Sequence, residues 1–220
     1  MLQVGDAVPS TALVDQRGRP FDFARLRGQT VVVAFVYTHC RDASECPLVT
    51  AKLARVQSGL GSAPIHIVTM TVDPAHDDPA ALESYGRTFG ANPARWSFVT
   101  GKPAAVILLE QRLGVDVAIG PSDEIAHTEE ILIVGPDGRV ADRIGGSAWT
   151  SDQVLARARS VASLPSDVLA NLRLSLSRGI AAICGGGVSG ISLAAALAIF
   201  AGALAAFGIV ASRALLSNLR

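Results

Sequence analysis

Residues 31–47 constrain the fold more than any other stretch. They read Val-Val-Val-Ala-Phe-Val-Tyr-Thr-His-Cys-Arg-Asp-Ala-Ser-Glu-Cys-Pro. The first seven are apolar and four of them are β-branched, which fits a strand buried on both faces of a sheet. Cys40 follows closely, and Cys46 comes just before Pro47. Proline suits the first turn of a helix, where its missing N–H is not needed. Leu48, Leu53 and Val56 extend that helix to about Gln57. A buried strand therefore runs into a short loop bearing two thiols, and a helix starts at the second. The partial positive charge of a helix N-terminus favours a thiolate at Cys46. The plainer reading is that both cysteines are small packing residues.

The rest of residues 1–163 reads as one α/β domain. A short strand is expected at 12–14, a turn at 16–19 and a linking turn at 21–26. A β-branched strand covers 65–72 and carries His66, read as a packed histidine. Asp77-Asp-Pro79 supplies a cap and a helix-starting proline for a helix to about Phe89. A strand at 96–99 is followed by a helix from Pro103, with Val106, Leu109 and Leu113 on one face. Residues 114–126 look irregular. A hairpin follows, with strands 131–134 and 140–144 around Pro136-Asp-Gly-Arg139. Thr150-Ser-Asp-Gln153 has the spacing of a capping box and opens a last helix. Strands separated by helices imply parallel pairing by right-handed crossovers. The hairpin adds antiparallel pairing, so the expected fold is a thioredoxin-like mixed sheet with flanking helices.

Composition matters at the C-terminus. Arg178 and Arg213 enclose 34 residues without a charge, more than the ~20 that a spanning helix needs. The expected organisation is a domain at 1–163, a linker at 164–187, a transmembrane helix at 188–212 and a short polar tail at 213–220. Cys184 lies in the uncharged run, and three cysteines make no disulfide framework. The net charge is zero, and with no basic patch nothing supports nucleic-acid binding.

Within such a sheet the thiol loop lies beside the segment before the hairpin, so Cys40, Cys46 and His127 can converge. Two thiolates and an imidazole form a soft set of low coordination number, suited to Cu(I). A structural zinc site would want four ligands, with His39 or Asp73 as the fourth. His39 adjoins Cys40, and neighbouring side chains diverge, so it is expected not to ligate.

The segment Phe35-Val-Tyr-Thr-His-Cys-Arg-Asp-Ala-Ser-Glu-Cys-Pro-Leu48 resembles the copper motif of the Sco/SenC family, thioredoxin-fold copper chaperones for cytochrome c oxidase assembly. Thr71-Val-Asp-Pro-Ala-His-Asp-Asp-Pro79, Arg95-Trp-Ser-Phe-Val-Thr-Gly101 and Glu124-Ile-Ala-His-Thr128 resemble further family segments in the same order. The resemblance implies a copper cofactor, with Cys40 and Cys46 as thiolate ligands, His127 as imidazole ligand and Asp73 assisting copper loading beside them. It also implies a redox-active Cys40–Cys46 disulfide that blocks or releases the metal, and an oxidase copper-site subunit as partner. Most members have three residues between the cysteines, whereas this chain has five. Better-known members are anchored at the N-terminus, whereas here the candidate span is C-terminal.

The N-terminus lacks the pattern of a signal peptide. Arg173 and Arg178 before the span and Arg213 and Arg220 after it leave the positive-inside rule tied. Copper delivery would place a single-pass protein in the cell membrane, touching lipid through its C-terminal helix, with an extracytoplasmic domain. A metallochaperone that delivers copper to, or maintains the thiols of, the oxidase copper site is thus expected rather than an enzyme. The alternative is a thiol–disulfide oxidoreductase or thiol peroxidase on the same fold. The oxidoreductase reading lacks Cys-x-x-Cys, and Ala126-His127 stands where thioredoxins carry a cis-proline. The peroxidase reading rests on Thr38 and Arg41 around Cys40. A membrane-tethered scaffold without metal or redox chemistry is a third reading.

Overall fold

The structure is a computed structural model that describes residues 1–120 and 124–164. The strand expected at 31–37 is β3, Thr30–Val36, and every residue in it is buried. It pairs in parallel with β4, Ile65–Thr71, also buried throughout, in the register Thr30↔Ile65 to Val36↔Thr71. β4 pairs in parallel with β5, Trp96–Gly101. On the other side β3 meets β8, Glu130–Val134, antiparallel, and β8 turns back into β9, Val140–Gly145. Two short strands close the far edge: β1, Leu13–Asp15, and β2, Pro20–Phe21. The seven-stranded order is β2-β1-β5-β4-β3-β8-β9. This is the expected mixed sheet, with β3 and β4 at its most enclosed positions.

Among the described residues, four α-helices cover it. α1, Cys46–Gly59, and α4, Ser151–Ser163, pack on each other and on β3, while α2, Pro79–Thr88, and α3, Pro103–Leu113, pack on β5. The sequence signals for the helix starts hold in detail. The Asp78 side chain caps α2 by accepting from the Ala81 amide, and Thr150 caps α4 by accepting from Gln153. In the α2–β5 contact, Trp96 and Phe98 stack at 5.1 Å on one face of β5, as an i, i+2 pair must. A Cβ on Gly86 of α2 would meet the Phe98 ring at 2.7 Å, so only glycine lets the helix approach this closely. Each fully buried aliphatic side chain of this core contributes about 1.5–3 kcal/mol of transfer free energy. The buried indole N–H of Trp96 donates to Thr69 Oγ1 at 2.9 Å, so the aromatic core leaves no unpaired donor there.

The structure corrects the reading of 114–126 as irregular. β6, Val117–Ile119, and β7, Ile125–His127, form a separate two-stranded antiparallel ribbon. Val117 pairs with His127, Ala118 with Ala126 and Ile119 with Ile125. Three-residue strands are too short to show alternation, and all of β6 is exposed, so no hydrophobic pattern marked them. The 21–26 turn also resolves further, into β2 and a 3-10 helix at Phe23–Leu26. The linker expected to 187, the transmembrane helix expected over 188–212 and the tail at 213–220 lie outside the described residues. Among the described residues no helix is long and apolar enough to cross a membrane.

Candidate metal centre

β3 ends at Val36 and delivers Tyr37 to the mouth of the site, still buried. The chain beyond it is fixed by a carboxylate that the sequence reading passed over. Asp77, fully buried, accepts the Thr38 main-chain N–H at 3.1 Å and the Thr38 hydroxyl at 2.5 Å. Its other close donor is the Thr71 hydroxyl, also at 2.5 Å. Thr71 Oγ1 in turn accepts the Asp73 N–H at 2.9 Å. Two threonines at neighbouring strand ends thus hold one ionisable group, and a buried carboxylate needs such partners. The result clamps the thiol loop to the loop after β4. In the sequence Asp77 stands beside the cap Asp78, within the segment 71–79 that resembles the family.

Cys46 is the first residue of α1 and is buried. Its Sγ lies 3.9 Å from His127 Nε2. The other ring nitrogen of His127, Nδ1, is 3.1 Å from the Thr128 carbonyl. A carbonyl only accepts, so Nδ1 carries the proton in the neutral ring and Nε2 turns its lone pair toward Cys46. Metal-binding histidines have their tautomer fixed in this way. β7 therefore brings the imidazole to the second thiol, where the sheet topology placed it, from the end of a strand rather than from an irregular loop. Cys40 is half-buried, and its Sγ contacts the Asp42 carbonyl at 3.6 Å and Glu45 Oε2 at 3.9 Å. Its thiol is also close enough to act on Cys46 and on the Tyr37 hydroxyl. Both cysteines are free thiols.

Electrostatics at Cys46 differ from the sequence expectation. Burial pushes its thiol well above the ordinary value, and the nearby Cys40 and Glu45 add to the rise. Only the Tyr37 main-chain N–H acts in the opposite direction. Desolvation therefore outweighs the helix N-terminus, and the thiolate needs a cation to complete it. Burial, with Cys40 next, also raises the Tyr37 hydroxyl to about 12, so Tyr37 stays a neutral wall of the site at neutral pH. Its ring stands edge-on to His127 at 6.5 Å and to His39 at 5.1 Å.

Asp73 and His39 lie together. Asp73 Oδ2 is 3.2 Å from His39 Nε2 and 2.8 Å from His76 Nδ1. His39 is turned to this carboxylate. A cleft of about 900 Å³, lined among others by Tyr37, His39, Asp73, His76 and Ile125, gives solvent access to these residues. Of the residues in the peroxidase pattern, the Thr38 hydroxyl donates to Asp77. His66, as expected, is a packed residue. It is buried and lies 2.9 Å from Ser97 Oγ.

The SCO1/SenC family model matches residues 4–163. The chain is 33% identical over 164 residues to the mitochondrial SCO2 homolog of Mus musculus, covering 70% of this chain and 62% of the relative. It thus spans about three-fifths of that protein's length. A putative copper-binding protein of Stutzerimonas stutzeri is 28% identical over 145 residues, covering 63% of this chain and 69% of that one. Among solved structures, copper-bound ScoI of Bradyrhizobium japonicum superposes with a TM-score of 0.62 at 23% identity, covering 71% of this chain and 99% of that chain. That likeness establishes the thioredoxin-like fold.

Proposed function

We propose a copper-handling role for this chain, which belongs to the SCO1/SenC family. Copper is its metal, held by the Cys40 and Cys46 thiolates and the His127 imidazole. The observation that carries this reading is the 3.9 Å approach of Cys46 Sγ to a His127 Nε2 whose partner nitrogen is committed to Thr128. The donor set fits the ion, because thiolates favour Cu(I) and imidazole accepts either oxidation state of copper.

The residues divide the work. A Cu(I) ion supplies the positive charge that the desolvated thiolates need. Loading releases the thiol protons, so uptake strengthens as pH rises. Cys40 leaves its contacts with Asp42 and Glu45 to close on the ion, and the five-residue loop gives it that freedom. Asp77 holds the base of the loop so that its movement is local. Asp73 assists loading from beside the ligands. Exchange of the Cys40 and Cys46 thiols with an external disulfide, which leaves as two thiols, joins them in a disulfide, removes two ligands and releases the metal. The recipient is a respiratory oxidase copper-site subunit, in keeping with the family's place in cytochrome c oxidase assembly. Residues 1–163 form the working domain, 164–187 a linker, 188–212 a single-pass membrane anchor and 213–220 a tail. The domain lies on the extracytoplasmic side of the cell membrane. The uncharged run 179–212 supports the anchor.

The test is Cu(I) titration of the reduced protein against a competing chelator, beside Cys46→Ala and His127→Ala. One tight equivalent, weakened in both variants, is the expected result. No tight equivalent in the native protein, with rapid turnover in a thiol-exchange assay, would replace this reading with the oxidoreductase one.

A further inference from the structure

The chain has four histidines, and two of them meet at a single carboxylate. His66 is buried on β4 against Ser97, and His127 faces Cys46. The remaining two, His39 and His76, flank Asp73. Their rings stand edge-on at 5.6 Å, and the three donor atoms all lie within 4.8 Å of one another. One oxygen, Asp73 Oδ2, serves both imidazoles, at 2.8 and 3.2 Å.

We propose that His39, Asp73 and His76 form a second metal site, for a borderline divalent cation of the Zn(II)/Cu(II) class. Two imidazoles and a carboxylate contain no thiolate, so they do not select Cu(I) as the cysteines do. They match the three-ligand sets that hold a divalent ion with a position left for water. The geometry is close to what one ion requires. Bonds of about 2.1 Å place ligand atoms about 3–4.2 Å apart, and small rotations of two exposed rings cover the difference.

The backbone is prepared for this. Asp73 is buried, its carbonyl accepts the His76 and Asp77 amides, and its own N–H is bonded to Thr71. The carboxylate is therefore presented from a fixed turn, while His39 and His76 have side chains 47% and 72% exposed. The ion enters from the cleft and keeps water on its open side. The Tyr37 ring stands edge-on to both His39 and His127, so one ring borders both sites. His76, three residues after Asp73, is the residue that makes the site.

The site stands independently of the thiol reading, and the test keeps them apart. In the full chain, Cys40→Ala/Cys46→Ala/Cys184→Ala removes all three thiols, and Zn(II) is titrated against a chromogenic chelator. One Zn(II) equivalent is expected. Adding His76→Ala should weaken it by at least about tenfold, since even changes outside the ligand shell cost 10–100-fold. Ring resonances of His39 and His76 should shift on Zn(II) addition while those of His66 do not. Absence of a Zn(II) equivalent in the thiol-free chain would overturn the proposal. So would an equivalent that His76→Ala leaves unchanged. Cu(I) uptake by His76→Ala with both cysteines intact reports on the thiol site alone, and it should match the native chain.

Discussion

The carboxylate of Asp77 accepts both the main-chain N–H and the hydroxyl of Thr38, across 39 residues of sequence. That one side chain joins the loop carrying the thiols to the turn carrying Asp73. Asp77→Ala leaves the Thr38 amide and the buried Thr71 hydroxyl without their acceptor. It should cost about 3 kcal/mol in urea unfolding. The thiol loop should also loosen, with weaker Cu(I) binding although no ligand is touched.

Two buried titrating groups give the stability opposite pH slopes. Burial, with the Arg95 charge next, lowers His66 from 6.5 to about 4. The unfolded chain therefore binds its proton first, and stability is lost as pH falls from about 6.5 to about 4. Imidazole resonances should show His66 still neutral at pH 5. His66→Asn should abolish this loss, which is on the order of 3 kcal/mol.

Glu110 on α3 works the other way. Burial raises it from 4.5 to about 7, and its Oε1 has no hydrogen-bond partner among the described residues. The folded state keeps the proton longer, so stability falls as pH rises from about 4.5 to about 7. Glu110→Met, close in volume, should stabilise the protein by about 1–3 kcal/mol at pH 8. The windows of His66 and Glu110 overlap, so the native protein should show a shallow profile between pH 5 and 6.5. Glu110→Met should then unmask a rising slope, and His66→Asn a falling one, in urea midpoints measured across this range.

Sequence signals were strong where a residue type had one physical use. The β-branched run gave β3, Pro47 and Pro79 gave two helix starts, and Thr150 with Gln153 gave a third. The meeting of Cys46 and His127 followed from topology, because β3 and β8 are neighbours in the sheet. Other features were hidden because their cause is tertiary. β6 and β7 exist only as partners of each other, and neither has a pattern of its own. Asp77 looked like part of a cap because its donors, Thr38 and Thr71, come together only when β3 and β4 pair. At Cys46 the helix N-terminus is outweighed by burial, which no local sequence signal reports. His76 passed unremarked as an ordinary polar turn residue, although its spacing from Asp73 placed both on one side of a tight turn.

The central claim is that Cys40, Cys46 and His127 share one copper ion. X-ray absorption at the copper edge of the Cu(I)-loaded protein, beside His127→Ala, tests it most directly. The account predicts two sulfur scatterers and one nitrogen in the native protein, with the nitrogen lost in the variant. A native spectrum without sulfur, or a His127→Ala spectrum identical to the native one, would contradict it.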